Sequence, residues 1–167
     1  LMQSIGMNGT ADWVEIDSHK NMWVAVNGRG VYYNKAGQNK SFLFKQNGNG
    51  SSVLPSGMVS CITECKGGVI VTFNNGILAK LSSKNLKVEW VNKSLFNLHK
   101  GALMSHSTYV DLYGNIWVSY IGHTVVWSYK SKKWYNSVSQ IINELGIKGV
   151  SNDHVLVKDL VTDNKGR

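Results

Sequence analysis

Four acidic residues, Asp17, Glu64, Asp111 and Asp163, recur along this 167-residue chain at nearly even intervals. Carboxylates do acid and base chemistry in pairs, and such pairs must stand within about 5–10 Å of each other. The even recurrence argues for a different use. One turn position occupied four times disperses the acids in space, each beside the backbone donors of its own turn, which a short carboxylate caps. The other candidates for catalysis are few. His99, His106, His123 and His154 keep no fixed spacing to a glutamate, and the sequence holds no glycine-rich phosphate loop or nucleophile elbow. Cys61 and Cys65 lie four apart on an expected strand, which sets their Cα atoms about 13 Å apart, beyond disulfide reach. No second Cys or His pair stands at metal-binding spacing. Neither a metal nor a cofactor is expected.

Each acid opens the same strand phrase. Placing the first turn at Lys20, Gly67, Gly114 and Gly166 gives spacings of 47, 47 and 52 residues, a period that suits one propeller blade of three or four short strands. A large residue follows six positions after each of the first three acids (Trp23, Ile70, Trp117), and a small one two positions later (Ala25, Thr72, Ser119). The second strand is apolar on both sides: Met22, Val24 and Val26 point one way, Trp23 and Ala25 the other. Both faces therefore seek burial, as in a blade with a neighbour on each side and unlike the outer face of a sandwich. The expected fold class is all-β, a β-propeller fragment of about three and a half four-stranded blades with a repeat of about 47 residues. Blades are placed at 12–44, 59–91 and 106–135, with an incomplete one from 155. The outer strands of the first two blades are expected at 41–44 and 87–91. A short helix is expected at 137–146, where Ile141, Ile142 and Leu145 stand at helical spacing before Gly146. Pro55, the single proline, falls outside every expected strand.

The run Asp111-Leu112-Tyr113-Gly114-Asn115-Ile116-Trp117-Val118 resembles the two-component regulator propeller repeat, in which Asp-x-x-Gly-Asn-(Leu/Ile)-Trp is followed by a Gly-Gly-Leu-x-x-Tyr strand. Residues Asn27-Gly28-Arg29-Gly30-Val31-Tyr32-Tyr33 resemble that second half, and Leu54-Pro55-Ser56-Gly57-Met58-Val59 its lead-in. Lys20 replaces the turn glycine of the first copy, Ile70 the tryptophan of the second, and the family's Gly-Thr is absent from all. The resemblance implies the periplasmic sensor region of a hybrid histidine kinase, part of an inner-membrane protein that detects an oligosaccharide and signals to transcription. The implied partners are that small-molecule ligand, the remaining blades of the parent chain and a second copy in a homodimer. Membrane contact comes only through parts of the parent outside this chain. The segment itself is then not an enzyme. A propeller enzyme of lyase type and a protein-binding scaffold are the alternatives.

The net charge of +8 invites a nucleic-acid reading, yet of 18 basic residues only Arg29 and Arg167 are arginines. Phosphate and base recognition favours the bidentate guanidinium. The cluster Lys130, Lys132 and Lys133 has a counterpart in Lys80, Lys84 and Lys87, both expected at the turn after the third strand, where lysine blocks edge pairing. No nucleic-acid partner is expected.

Strand alternation puts the turns between second and third strands, and the connectors leaving each blade, on one side of the molecule. That side carries the long and irregular loops and is the expected functional face. Candidate ligand-binding residues on it are Arg29, Asn75, His99, His123 and His154. Amide, guanidinium and imidazole groups supply the mixed donors and acceptors that a hydroxyl-rich ligand needs. Asn75 also suits its turn simply because asparagine tolerates positive φ.

Overall fold

A computed structural model describes residues 9–99, 105–120, 123–136, 140, 142 and 144. Two compact units divide the chain, Leu1–Leu103 and Met104–Arg167.

The first unit holds two sheets. In one, β1 (Ala11–Ile16), β2 (Met22–Val26), β3 (Gly30–Asn34) and β4 (Ser41–Gln46) form an antiparallel meander, and β5 (Val53–Leu54) adds to β4 in parallel. In the other, β6 (Val59–Cys65), β7 (Gly68–Phe73), β8 (Leu78–Ser82) and β9 (Val88–Asn92) repeat the meander, and α1 (Ser94–His99) follows. The second unit holds one sheet, the meander β10 (Ser105–Val110), β11 (Ile116–Tyr120), β12 (His123–Trp127) and β13 (Trp134–Tyr135). Each first strand carries a register shift in its early residues, at Ala11/Trp13, Val59/Cys61 and Ser105/Ser107. The bulge is thus part of the repeat.

The two faces of β2 are both buried. Trp23 and Ala25 join Val31, Tyr33 and Phe44 on one face, in a single cluster with Ile62, Val69, Val71 and Phe73 of the second sheet. Val24 and Val26 pack with Tyr32, Met22 and Leu43 on the other. Trp23 is the anchor, with its ring 4.4 Å from that of Tyr33 and 6.0 Å from that of Phe44. The small residues Ala25, Thr72 and Ser119 are all buried.

Several boundaries differ from the sequence reading. The first meander runs to Gln46 rather than 44, and the outer strand of the second is Val88–Asn92 rather than 87–91. Lys80 lies within β8 rather than at a turn, where its ammonium pairs with Glu89 at 2.9 Å. Only Lys84 and Lys87 of that trio are exposed. In place of the turn glycine, Lys20 adopts the same left-handed conformation (φ 63°) as Gly67 (84°) and Gly114 (80°). A side chain there costs about 1 kcal/mol, small enough for the rest of the turn to absorb. Strand β5 and helix α1 had no periodic signal, being too short to show one. Of the helix expected at 137–146, Gln140, Ile142 and Glu144 are described and helical. The fourth copy from 155, with Asp163, lies outside the described residues.

Candidate functional site

The repeated acids are the centres of two closed hydrogen-bond clasps. Asp17 Oδ1 accepts from the backbone N–H of His19 (3.0 Å) and Asn21 (2.9 Å), and Oδ2 accepts from Asn21 Nδ2 and the Trp23 indole Nε1, both at 3.0 Å. Asp111 does the same in the third meander: Oδ1 accepts from the N–H of Tyr113 and Asn115, and Oδ2 from Asn115 Nδ2 and Trp117 Nε1. The asparagine carbonyl then accepts from the turn between third and fourth strands, at Ala36 N and at Tyr129 N. Acid, asparagine and tryptophan therefore tie two turns of one sheet together. Burial pushes the Asp17 carboxyl up, but the indole and the Asn21 donors outweigh it and hold its pKa below the ordinary 3.8.

Glu64 is the exception, and its copy explains why. Four and six positions on, Gly68 and Ile70 replace the asparagine and the tryptophan, so the clasp has no donors to hold. The longer side chain instead reaches the neighbouring sheet, where Ser18 N donates to Oε2 at 2.9 Å and Ser18 Oγ to Oε1 at 2.5 Å. Beside it, burial and then the Glu64 charge raise the pKa of Glu15, whose carboxylate also takes the Glu64 backbone N–H. These two carboxylates latch β1 and its turn to β6. With both Glu64 oxygens engaged by Ser18, the pair is built for joining sheets.

The opposite end of the first unit is formed by the turn at 27–29, the end of β4, the connector at 55–58 and the turn at 74–76. Arg29 N donates to Val26 O at 3.0 Å, closing the β2–β3 turn, and Arg29 O accepts from Gln46 N at 2.9 Å. Gln46 then spans to the connector, its Nε2 donating to Gly57 O. From the other side Asn75 Nδ2 donates to Ser56 O at 3.3 Å, and Asn74 N to Met58 O at 2.8 Å. Arg29 and Asn75 are thus brought to one end and joined through Gln46 and the connector. Their side chains differ in use. Both ends of the Asn75 amide are engaged, Nδ2 by the connector and Oδ1 by Ile77 N at 3.2 Å. Arg29 is exposed, and among the described residues its guanidinium makes no hydrogen bond or ion pair.

The histidines are placed less fully. His99 is the last residue of α1, and His123 opens β12 opposite Tyr120 in the second unit. His154 lies outside the described residues. Among the described residues no group of three His, Cys, Asp or Glu side chains is arranged to hold a metal ion, and neither Cys61 nor Cys65 is in a disulfide. Burial raises the Cys65 thiol to about 11, so it stays protonated at neutral pH.

No family model matches the sequence, and no curated protein does. Solved structures do. YCF48 from Cyanidioschyzon merolae aligns over 83% of this chain with a TM-score of 0.57 and 16% identity, and the extracellular domain of the hybrid two component system BT3049 from B. thetaiotaomicron over 80% with a TM-score of 0.56 and 20% identity. Both are propeller proteins. The chain carries propeller blades. Its three four-stranded meanders are those blades, the first with β5 added at its edge. The chain spans 44% of the first neighbour's length and 17% of the second's.

Gln46 and the indole partners of Asp17 and Asp111 were missed in the sequence. For the indoles a signal existed: acid, asparagine at +4 and tryptophan at +6 occur together in two copies and are lost together in the other described one. Gln46 offered none, because its partner is a connector carbonyl eleven residues away.

Proposed function

We propose that these blades belong to the extracytoplasmic ligand-sensing region of a membrane-bound two-component sensor kinase, and that the ligand is a neutral oligosaccharide. The reading rests on the end of the first unit, where the exposed Arg29 guanidinium stands on a backbone frame held by Gln46 and Asn75. A planar donor on a rigid turn can grip a pair of hydroxyl oxygens at little cost in entropy, because its frame is already ordered. The likeness to the extracellular domain of a hybrid two component system supports the placement outside the cytoplasm. Catalysis is not part of the reading. The three repeated carboxylates among the described residues, Asp17, Glu64 and Asp111, are spent on clasps and a latch, and the two neighbours named above are a sensor domain and a propeller protein rather than known enzymes. Signalling then consists of a shift in packing among blades, driven by the ligand's unequal affinity for two arrangements.

The test is isothermal titration of an oligosaccharide that binds the chain, repeated on Arg29→Ala and Arg29→Lys. Loss of about tenfold or more in affinity for alanine, with partial recovery for lysine and unchanged unfolding curves, is the expected result. Equal affinity in all three proteins would remove the site from this end.

A further inference from the structure

The third blade carries an apolar tip that its own architecture does not require. Leu112, Tyr113 and Tyr129 are exposed to 72%, 70% and 60%. The first blade supplies an internal control, because the same clasp builds the same turns there. Tyr113 N donates to the blade's aspartate as His19 N does, and Tyr129 N donates to the blade's asparagine as Ala36 N does. At the three matching positions the first blade has Ser18, His19 and Ala36. The backbone is satisfied by polar or small residues, so the leucine and two tyrosines are surplus to the fold.

These side chains stand together and are ringed by cations. A Cβ on Gly114 would lie 3.4 Å from Tyr129 Cγ, which sets the Tyr129 ring against the turn that bears Leu112 and Tyr113. Lys132 Nζ sits 3.4 Å from the centre of that ring, and Lys130 and Lys133 are exposed beside it. Among the described residues, the Glu144 carboxylate is taken up by Ser128, Ser131 and the Tyr135 hydroxyl, and Asp111 is closed within its clasp.

We infer that this tip is a docking surface for an anionic lipid bilayer. Turn tips are convex, and small ligands are held in concavities; a flat interface accepts a convex tip without any induced fit. Leucine enters the acyl boundary, tyrosine settles at headgroup depth, and lysines reach anionic headgroups from just above. The contact proposed is made by turns at the surface of the bilayer; no helix among the described residues is long and apolar enough to cross a membrane. The inference is independent of the ligand proposed above, and it extends membrane contact to this chain, where the sequence placed it only elsewhere in a parent protein.

The experiment is co-sedimentation of the full chain with vesicles of phosphatidylglycerol and phosphatidylethanolamine, and with vesicles of phosphatidylcholine. Binding to the anionic vesicles that falls about tenfold or more in Leu112→Ser/Tyr113→Ser, and again in Lys130→Gln/Lys132→Gln/Lys133→Gln, is expected. All five positions are exposed, so the melting curves should match the parent's. Failure to sediment with anionic vesicles would overturn the inference. So would a dependence on the lysines alone, shared with binding to a random-sequence RNA, which would make the tip a general polyanion contact.

Discussion

Replacing Asp17 with alanine should remove about 3–6 kcal/mol of stability, which is much of what a domain possesses. The substitution orphans the Trp23 indole N–H, the Asn21 amide and the Asn21 backbone N–H, all buried, along with the His19 N–H. Each buried donor left without a partner costs about 1–3 kcal/mol. Trp23 is at the same time the ring around which Tyr33 and Phe44 pack, so a displaced indole disturbs the core shared by the first two sheets. Glu64→Ala makes the contrast. It loses two contacts from the exposed Ser18 and should cost only about 0.5–1.5 kcal/mol. Urea unfolding followed by far-ultraviolet circular dichroism separates the two. The pH profile offers a second reading. Because the folded pKa of Asp17 lies below its ordinary 3.8, the stability it supplies is fully present above that value and is lost as pH falls through the lower, folded one. The parent should therefore weaken over that acid window, and Asp17→Asn should start lower and lose less across it. A cost below about 1 kcal/mol for Asp17→Ala would mean that the donors find other partners and that the clasp does not hold the blade.

Gly30→Ala should be the other severe lesion, at about 3 kcal/mol or more. Gly30 opens β3 with φ 127°, and a Cβ there would lie 2.0 Å from Phe44 O and 3.0 Å from Gln46 N. Both are backbone atoms of β4, so no side chain can swing aside to make room. Relief requires β3 and β4 to separate, which breaks the pairing of Gly30 with Lys45 and the bond from Gln46 N to Arg29 O. The fold and the candidate site should be damaged together. Gly28→Ala is the control: its φ is also positive at 69°, but nothing lies within 4 Å of the added carbon. It should cost about 1 kcal/mol, from backbone conformation alone. Equal unfolding midpoints for the two variants would show that the strands yield easily.

Much of the fold was legible because the repeat states it more than once. The positions of Trp23, Ile70 and Trp117 fixed the register of each central strand, and apolar residues on both sides of β2 announced a sheet covered on both faces. The repeat could also mislead. It presented Glu64 as an equivalent of Asp17, whereas the loss of the asparagine and tryptophan in that copy turned the carboxylate outward to another sheet. The register shifts, β5 and α1 depend on pairing geometry or on one or two residues, and leave no period to read. The candidate site was legible as an end rather than as a set of side chains. Alternation put Arg29 and Asn75 on one side, but nothing in the residue types distinguished an asparagine whose amide is engaged at both ends from an arginine left exposed.

The proposed binding of a carbohydrate by these blades at the Arg29 end is read from thermal unfolding of the chain against a panel of neutral oligosaccharides at millimolar concentration. A ligand present at about a hundred times its dissociation constant adds about 2.7 kcal/mol and raises the melting temperature accordingly. Such a rise is expected with one class of glycan, and a smaller rise in Arg29→Ala. A panel that leaves the melting temperature unmoved, or a rise that Arg29→Ala retains in full, would contradict it.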